Sequence, residues 1–517
     1  MKSVEEGSAT PTQFTYDPRR WWALIGFGIA VLIVSLDNAI LALAVPSLAE
    51  SLSPSPTELL WIGDIYSFVI AGLLITMGSL GDRFGRKKLL VIGSVAFAIL
   101  SVVAAYSPTP EALILSRALM GAAGATLMPS TLSLIRNTFP DPKERTFAIG
   151  IWTAMAAFGA GGGPVVGGFL LEHFWWGSVF LVNVPIIVIM LVIGLFSWRE
   201  SKDPNAGPVD ILSIVLSLVG MLAVVWAIKE IAFQGPGFIV GWGALFIGAA
   251  ILVAFVKRQN SLEKPMINMS LFKNPAFSGA VASQLISIFA LIGCTFFLAQ
   301  LFQMVLGDSP MQAAIKLLPA ELAGLIAGPL AAKFIGAWGR RNVIGGGIFV
   351  GAVGLFGVAS TGGEGVWLIS ISLLLIGFGI GLALTGAADS VLSAAPPEHA
   401  GAASAVGETA YELGAALGIA ILGTILGTWY YLNVSIPAGL TESQAAKVHE
   451  SLPEAIEVSH EVSPSLASEM LTSAHAAFSS GFVVVCVVAG VICLIGSFVA
   501  FKVLPSKSEE VQHVAGH

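Results

Sequence analysis

Residues 78–88 read Gly78-Ser79-Leu80-Gly81-Asp82-Arg83-Phe84-Gly85-Arg86-Lys87-Lys88 and lie between apolar runs at 58–80 and 89–106. The glycines permit a tight turn between two abutting helices, and Asp82 is placed to accept hydrogen bonds from a neighbouring helix terminus and from arginines. A basic loop that only fixed topology would need the lysines and arginines but not this placement of glycine and aspartate. Each flanking run is close to the roughly 20 residues that a helix needs to cross about 30 Å of hydrocarbon. Working outward, similar runs occur at 21–45, 111–136, 146–170, 177–197, 210–231, 239–257, 276–304, 311–336, 342–360, 365–388, 401–431 and 476–503, which makes fourteen spans. The expected class is an all-α integral membrane protein.

Composition agrees. Of 517 residues, 56% are hydrophobic and only 11% charged, with a mean hydropathy of +0.86, whereas a soluble globular chain carries about 25% charged residues. The 58 glycines and 26 prolines would disrupt soluble helices at this density, but spanning helices tolerate them and use small residues for close contact. The net charge of -7 is dispersed and forms no basic stripe, so no nucleic-acid partner is expected. Cys294, Cys486 and Cys493 fall inside apolar runs without metal or disulfide spacing. The polar first 20 residues carry Glu5, Glu6 and Asp17, and the run that follows is too long for a signal-peptide core.

Lysines and arginines concentrate in cytoplasmic loops. With fourteen spans, Arg19 and Arg20, Arg83 to Lys88, Arg136 to Arg145, Arg199 and Lys202, Lys257 to Lys273, Lys333 to Arg341, and Lys502 with Lys507 share one side. The other side carries Glu50, Glu58, Glu172, Asp308 and Glu364, with Lys229 at a helix end and Lys447 as its one loop lysine. Both termini are therefore expected in the cytoplasm. The long outer loop 433–475 is polar and partly amphipathic; it reads either as short helices over the outer mouth or as a solvated linker.

Two further strings stand at telling places. Leu113-Ile114-Leu115-Ser116-Arg117-Ala118-Leu119-Met120-Gly121-Ala122-Ala123-Gly124 puts an arginine inside the fourth span, where a charge is functional or paired. Gly159-Ala160-Gly161-Gly162-Gly163-Pro164-Val165-Val166-Gly167-Gly168 is a glycine-rich, proline-kinked stretch of the fifth span, suited to helices that approach and slide, or simply to close packing. Together with the 78–88 loop, these strings resemble the signatures of the major facilitator superfamily, the third resembling the antiporter signature of drug exporters. Leu36-Asp37 through Pro46, Asn183-Val184-Pro185 and Leu317-Leu318-Pro319 narrow the resemblance to its fourteen-helix drug:proton antiporters. Trp61-Ile62-Gly63-Asp64-Ile65-Tyr66-Ser67, Met128 to Arg136, and Ala410-Tyr411-Glu412-Leu413-Gly414 bring it nearest to the quaternary-ammonium efflux pumps of that family.

The resemblance implies a major facilitator fold. A cytoplasmic tail 1–20 would precede an N-terminal six-helix bundle at 21–200, two linker helices at 205–260, a C-terminal six-helix bundle at 270–504 and a tail at 505–517. In that family the loop and glycine motifs serve conformational gating, here Gly78, Asp82, Arg83, Gly85, Arg86, Arg117, Gly159, Gly163, Pro164, Gly167 and Gly168.

Carboxylates within spans carry the chemistry, since each costs about 2.5 to 3.5 kcal/mol if left charged at the bilayer centre. Asp37 lies well inside the first span and reads as a proton-coupling or cation-contact group, with a structural hydrogen bond as the alternative. Asp64 lies near the outer end of the second span, where an interfacial role competes; the resemblance favours recognition of cationic substrate. Glu408 and Glu412 are four apart and share one face of the thirteenth span, as an acid pair fit to carry a proton would. The family's acid in the tenth span aligns with Gly324, and Glu321 stands one turn earlier. The first of its paired acids in the thirteenth span aligns with Gly407. Asp389 has no counterpart and reads as a helix-end hydrogen bond.

The implied function is proton-driven export of lipophilic mono- and divalent cations such as quaternary ammonium compounds, dyes and antiseptics. It would proceed by alternating access in a bacterial inner membrane, with no cofactor beyond the proton gradient and with the protein as a monomer. An exporter of an endogenous metabolite, lipid or siderophore is the rival on the same fold. An enzyme is not expected, because no nucleophile, histidine-rich metal set or phosphate loop appears. His173, His399 and His475 lie in loops or near helix ends.

Overall fold

The computed structural model describes residues 17–204, 207, 209–234, 237–362 and 365–506. Glu5, Glu6, Glu364, Lys507 and most of both expected tails lie outside the described residues. The described chain is all α-helical. Seventeen helices run α1 Arg20–Leu52, α2 Pro56–Phe84, α3 Arg86–Ala105, α4 Pro110–Thr138, α5 Pro142–His173, α6 Ser178–Leu181, α7 Asn183–Ser197, α8 Ile211–Gln234 and α9 Ile239–Ser261. They continue with α10 Pro275–Gln300, α11 Pro310–Trp338, α12 Arg340–Thr361, α13 Val366–Ala394, α14 Ala400–Asn433, α15 Glu442–Glu450, α16 Leu452–Ser459 and α17 Pro464–Val503. Fourteen stretches are long and apolar enough to cross a membrane, with α6 and α7 forming one of them.

Local chemistry fixes where the helices begin. Thr109, Asp141, Asn274 and Ser309 each accept from a first-turn amide with the side-chain oxygen, and a proline follows each at the first helical position. That position needs no amide proton, and the ring presets φ. Pro185 accounts for the break in the sixth span: its ring clashes with the carbonyl four residues back, at Leu181, where α6 ends.

One apolar core gathers Phe27, Leu74, Phe97, Leu134, Ile149 and Ile187 from α1 to α7, joined at one end by Leu392 and Ala400. A second gathers Phe302, Ile344, Leu373, Leu422, Phe482 and Val485 from α10 onward. The halves meet along α5 and α11, where the chains cross at Gly150 and Gly328: a Cβ on Gly150 would lie 2.1 Å from the Gly328 carbonyl oxygen. They also meet along α2 and α14. The α8–α9 pair stands beside them, with Met221 and Val225 of α8 packed on Phe68 and Ala71 of α2 and touching Leu413 of α14.

The outer loop folds into short helices, the first of its two readings, but its end belongs to the last span. α17 begins at Pro464, twelve residues before the expected start of the last span, so the end of the 433–475 segment is helix. Its remaining short helices, α15 and α16, pack on α14 and α17 rather than across the mouth between the halves. Tyr430 of α14 donates to the Val448 carbonyl at 3.0 Å and secures them.

Candidate functional site

The 78–88 turn builds a latch at the basic end of the bundle. Gly85 has φ 113°, a region that favours glycine, and this sharp turn sets α3 against α2. Asp82 is buried, and its Oδ1 accepts from Arg86 Nε at 2.8 Å and Nη2 at 2.6 Å. It also accepts from the first amides of α14: Gly401 N reaches Oδ1 and Ala402 N reaches Oδ2, both at 2.9 Å. Arg86 continues to the carbonyls of Pro397 and Glu398 at 3.0 and 2.9 Å. Arg83 donates to the Gly207 carbonyl. Both kinds of partner expected of Asp82 are present, and they tie the two halves together.

A second clasp lies at the same end. Asp389 of α13 is fully buried; its Oδ1 lies 3.3 Å from Arg145 Nε of α5 and its Oδ2 2.8 Å from Arg340 Nε of α12. Ser393 Oγ accepts from both arginines at 3.0 and 3.2 Å. Asp389 is therefore more than a helix-end hydrogen bond: it joins an arginine from each half. The signal in the sequence is Gly339-Arg340, a second copy of the Gly85-Arg86 turn, whose arginine needed an acid.

Asp37 does not stand free. Its Oδ2 accepts from Arg117 Nη1 at 2.5 Å and its Oδ1 from Asn183 Nδ2 at 2.9 Å, all three residues being buried. Arg117 also lies over the Tyr66 ring, 4.4 Å from its centroid, so the arginine in the fourth span is paired. The sequence put Asn183 in a quoted string without giving it this role.

The glycine stretch of α5 has two faces. Gly159, Gly163 and Gly167 lie against Leu32, Ala39 and Ile40 of α1, whereas Gly161 and Gly168 lie against Glu321 and Met311 of α11. Pro164 is inside α5. Glu321 is thus held at the seam between the halves.

Glu408 is buried on α14, and Glu412 is half-buried one turn further. Tyr411 lies within electrostatic reach of Glu321, Glu408 and Glu412, and Tyr66 within reach of Asp37 and Glu412. Among the described residues, none of the three glutamates is in an ion pair, and none of their carboxylates in a hydrogen bond. Asp64 is bound: Lys229 Nζ of α8 lies 2.5 Å from its Oδ1. Glu321, Glu408 and Glu412, from α11 and α14, thus share Tyr411 as an electrostatic neighbour, whereas Asp37 is held by Arg117 and Asn183 and Asp64 by Lys229. Tyr411 and Tyr66 as the bridging rings escaped the sequence reading. A cavity of about 340 Å³ opens at the basic end beside the latch, lined in part by Arg83, Asp203, Asp210, Lys264 and His399, and none of the five acids lines it.

A chain of fourteen apolar helices in two packed halves, latched at one end and carrying interior acids at their seam, is a membrane transporter and not an enzyme. It belongs to the Major Facilitator Superfamily, whose family model matches residues 27–419. It is similar to the multidrug efflux pump LfrA of Mycolicibacterium smegmatis, 43% identical over 495 residues that cover 96% of this chain and 98% of that protein. It is also similar to the methyl viologen resistance protein SmvA of Salmonella typhimurium, at 35% over 89% of this chain and 93% of that protein. The tetracenomycin C resistance and export protein of Streptomyces glaucescens is 30% identical over 95% of this chain and 93% of that protein. In fold, the human organic anion transporter MFSD10 superposes with a TM-score of 0.63 at 13% identity, covering 94% of this chain and all of that one.

Proposed function

We propose that the protein is a proton-coupled multidrug efflux antiporter that exports lipophilic mono- and divalent cations, including quaternary ammonium compounds and dyes, by alternating access. The observation that carries this reading is the set of three acids within spanning helices, Glu321 at the seam and Glu408 and Glu412 on α14, all within electrostatic reach of Tyr411 and none in an ion pair among the described residues. A carboxylate in an apolar interior takes either a proton or an organic cation. The two ligands therefore exclude each other, and their exchange is coupled. The names of the relatives support the substrate class, since methyl viologen is a bipyridinium dication. The driving force is the proton gradient, with no cofactor. The membrane is the bacterial inner membrane and the working unit a monomer. With both termini in the cytoplasm, the latched basic end is the cytoplasmic end and this conformer faces outward.

The test is cation accumulation in everted membrane vesicles. A monovalent dye and methyl viologen should both accumulate when the lumen is acidified, and an uncoupler should release them. If neither moves while an endogenous metabolite, lipid or siderophore does, the rival reading takes its place.

A further inference from the structure

One ammonium of a spanning helix at the end opposite the latch, that of Lys229, does not turn away from the site. Lys229 stands in the last turn of the α8 span, where the helix dipole favours a cation and a long side chain can extend toward the membrane surface. Instead its Nζ lies 2.5 Å from Asp64 Oδ1 and 4.7 Å from the centroid of the Phe68 ring. A carboxylate beside an aromatic face is the set of groups that recognises an organic ammonium. Here the chain's own ammonium already occupies it. The pair is half-open, with side-chain exposures of 28% for Lys229 and 41% for Asp64, so an incoming ligand has access to it. Glu412 of α14 is within electrostatic reach of Lys229.

We propose that Lys229 is a tethered cation that determines substrate valence, holding Asp64 against organic cations until a ligand displaces it. This rests on the cation-export reading above. Charge counting explains the selectivity. A monocation binds at the unpaired glutamates while Lys229 stays on Asp64. A dication long enough to reach from those glutamates to α2 sets its second charge at Asp64, so it must displace Lys229 and leave three positive charges among the same acids. Lys229 therefore disfavours dications relative to monocations. It also gives α8, from the pair of helices beside the two bundles, a part in recognition.

The experiment uses the full chain in proteoliposomes with an imposed pH gradient, and measures KM and maximal rate for methyl viologen and for a monovalent phenanthridinium dye. Lys229→Gln should lower the KM ratio of dication to monocation about fivefold, the scale of releasing a half-exposed charge pair. Lys229→Arg should restore the wild-type ratio, and Asp64→Asn in the Lys229→Gln background should remove the gain. A merely structural lysine would instead lower expression and maximal rate for both substrates and leave the KM ratio unmoved, which overturns the proposal. A wild-type protein that moves neither cation overturns the export reading itself and takes this inference with it.

Discussion

Replacing Asp389 by Asn should loosen the basic end of the bundle. The wild-type carboxylate serves Arg145 of one half and Arg340 of the other. Removing one partner of a wholly buried ion pair costs about 3–5 kcal/mol. Here Arg145 and Arg340 keep side-chain exposures of 11% and 19%, and asparagine still accepts a hydrogen bond, so the loss falls to about 2 kcal/mol, the scale of a hydrogen bond to a charged group. Only the Arg145 contact crosses between the halves, and the Arg340 contact survives in any conformer that keeps α12 on α13. About 1–2 kcal/mol thus bears on opening, which raises the open-to-closed ratio about 5- to 30-fold. The assay is double electron–electron resonance between spin labels at Lys143 and Asn342, both exposed at the basic end in opposite halves, with Cys294, Cys486 and Cys493 changed to Ala. The Asp389→Asn sample should gain a longer-distance population. An unchanged distance distribution, or an equal gain in Arg340→Gln, would refute the clasp.

Three further outcomes are expected. Asp37→Asn should abolish pH-driven export of every substrate, and it should lower the melting temperature as well, because Arg117 is left buried without its counter-ion; normal efflux would make Asp37 structural. Asp64→Asn should impair efflux of a bisquaternary compound more than that of a monovalent dye at matched expression, and equal losses would sink the charge-selective role. Arg258, with help from Ser213, holds the Asp210 carboxyl at about 2. The folded value lies below the usual carboxylate range, so the stability this pair adds is present above about pH 4 and lost only as pH falls through 2. Asp210→Asn should therefore lower thermal stability without moving the pH profile of export between pH 5 and 8.

The spans were legible because hydrocarbon thickness sets their length and charged loops punctuate them. The same signal misplaced the start of α17, since Ser463 and Pro464 open a helix whose first turns are interrupted by Ser465, Ser468 and Glu469 and so stand outside any apolar run. Asp82 was legible as a group seeking a helix terminus, but that the terminus is Gly401 of α14 depends on how two distant helices abut. The acids announced themselves by the cost of placing them in a span. Their common nearness to Tyr411 did not, because two whole helices, α12 and α13, separate Glu321 from Glu412 in the sequence. Lys229 stood out as a cation on an acidic side, and only the fold brings its ammonium onto Asp64.

The two clasps at the basic end reuse one turn with different chemistry. Gly85 and Gly339 both take positive φ, 113° and 81°, and an arginine follows each. In the first turn the acid lies four residues before the arginine, so Asp82 and Arg86 satisfy each other within one half and present the remaining oxygen valences to the amides of α14. That contact is charge to helix terminus, and it requires the backbones to touch: a Cβ on Gly401 would lie 2.4 Å from Asp82 Oδ1. In the second turn the equivalent position is Gly336, and Arg340 finds its acid across the helices in Asp389, which is then free to hold Arg145 as well. The first clasp therefore breaks by moving a helix end off a neutralised pair. The second breaks by separating opposite charges, and Arg145, once released, retains partial exposure to water and so bears its charge at modest cost. Two unlike clasps at one end let the bundle close firmly there and still open, since neither release strands an unpaired charge deep in the protein.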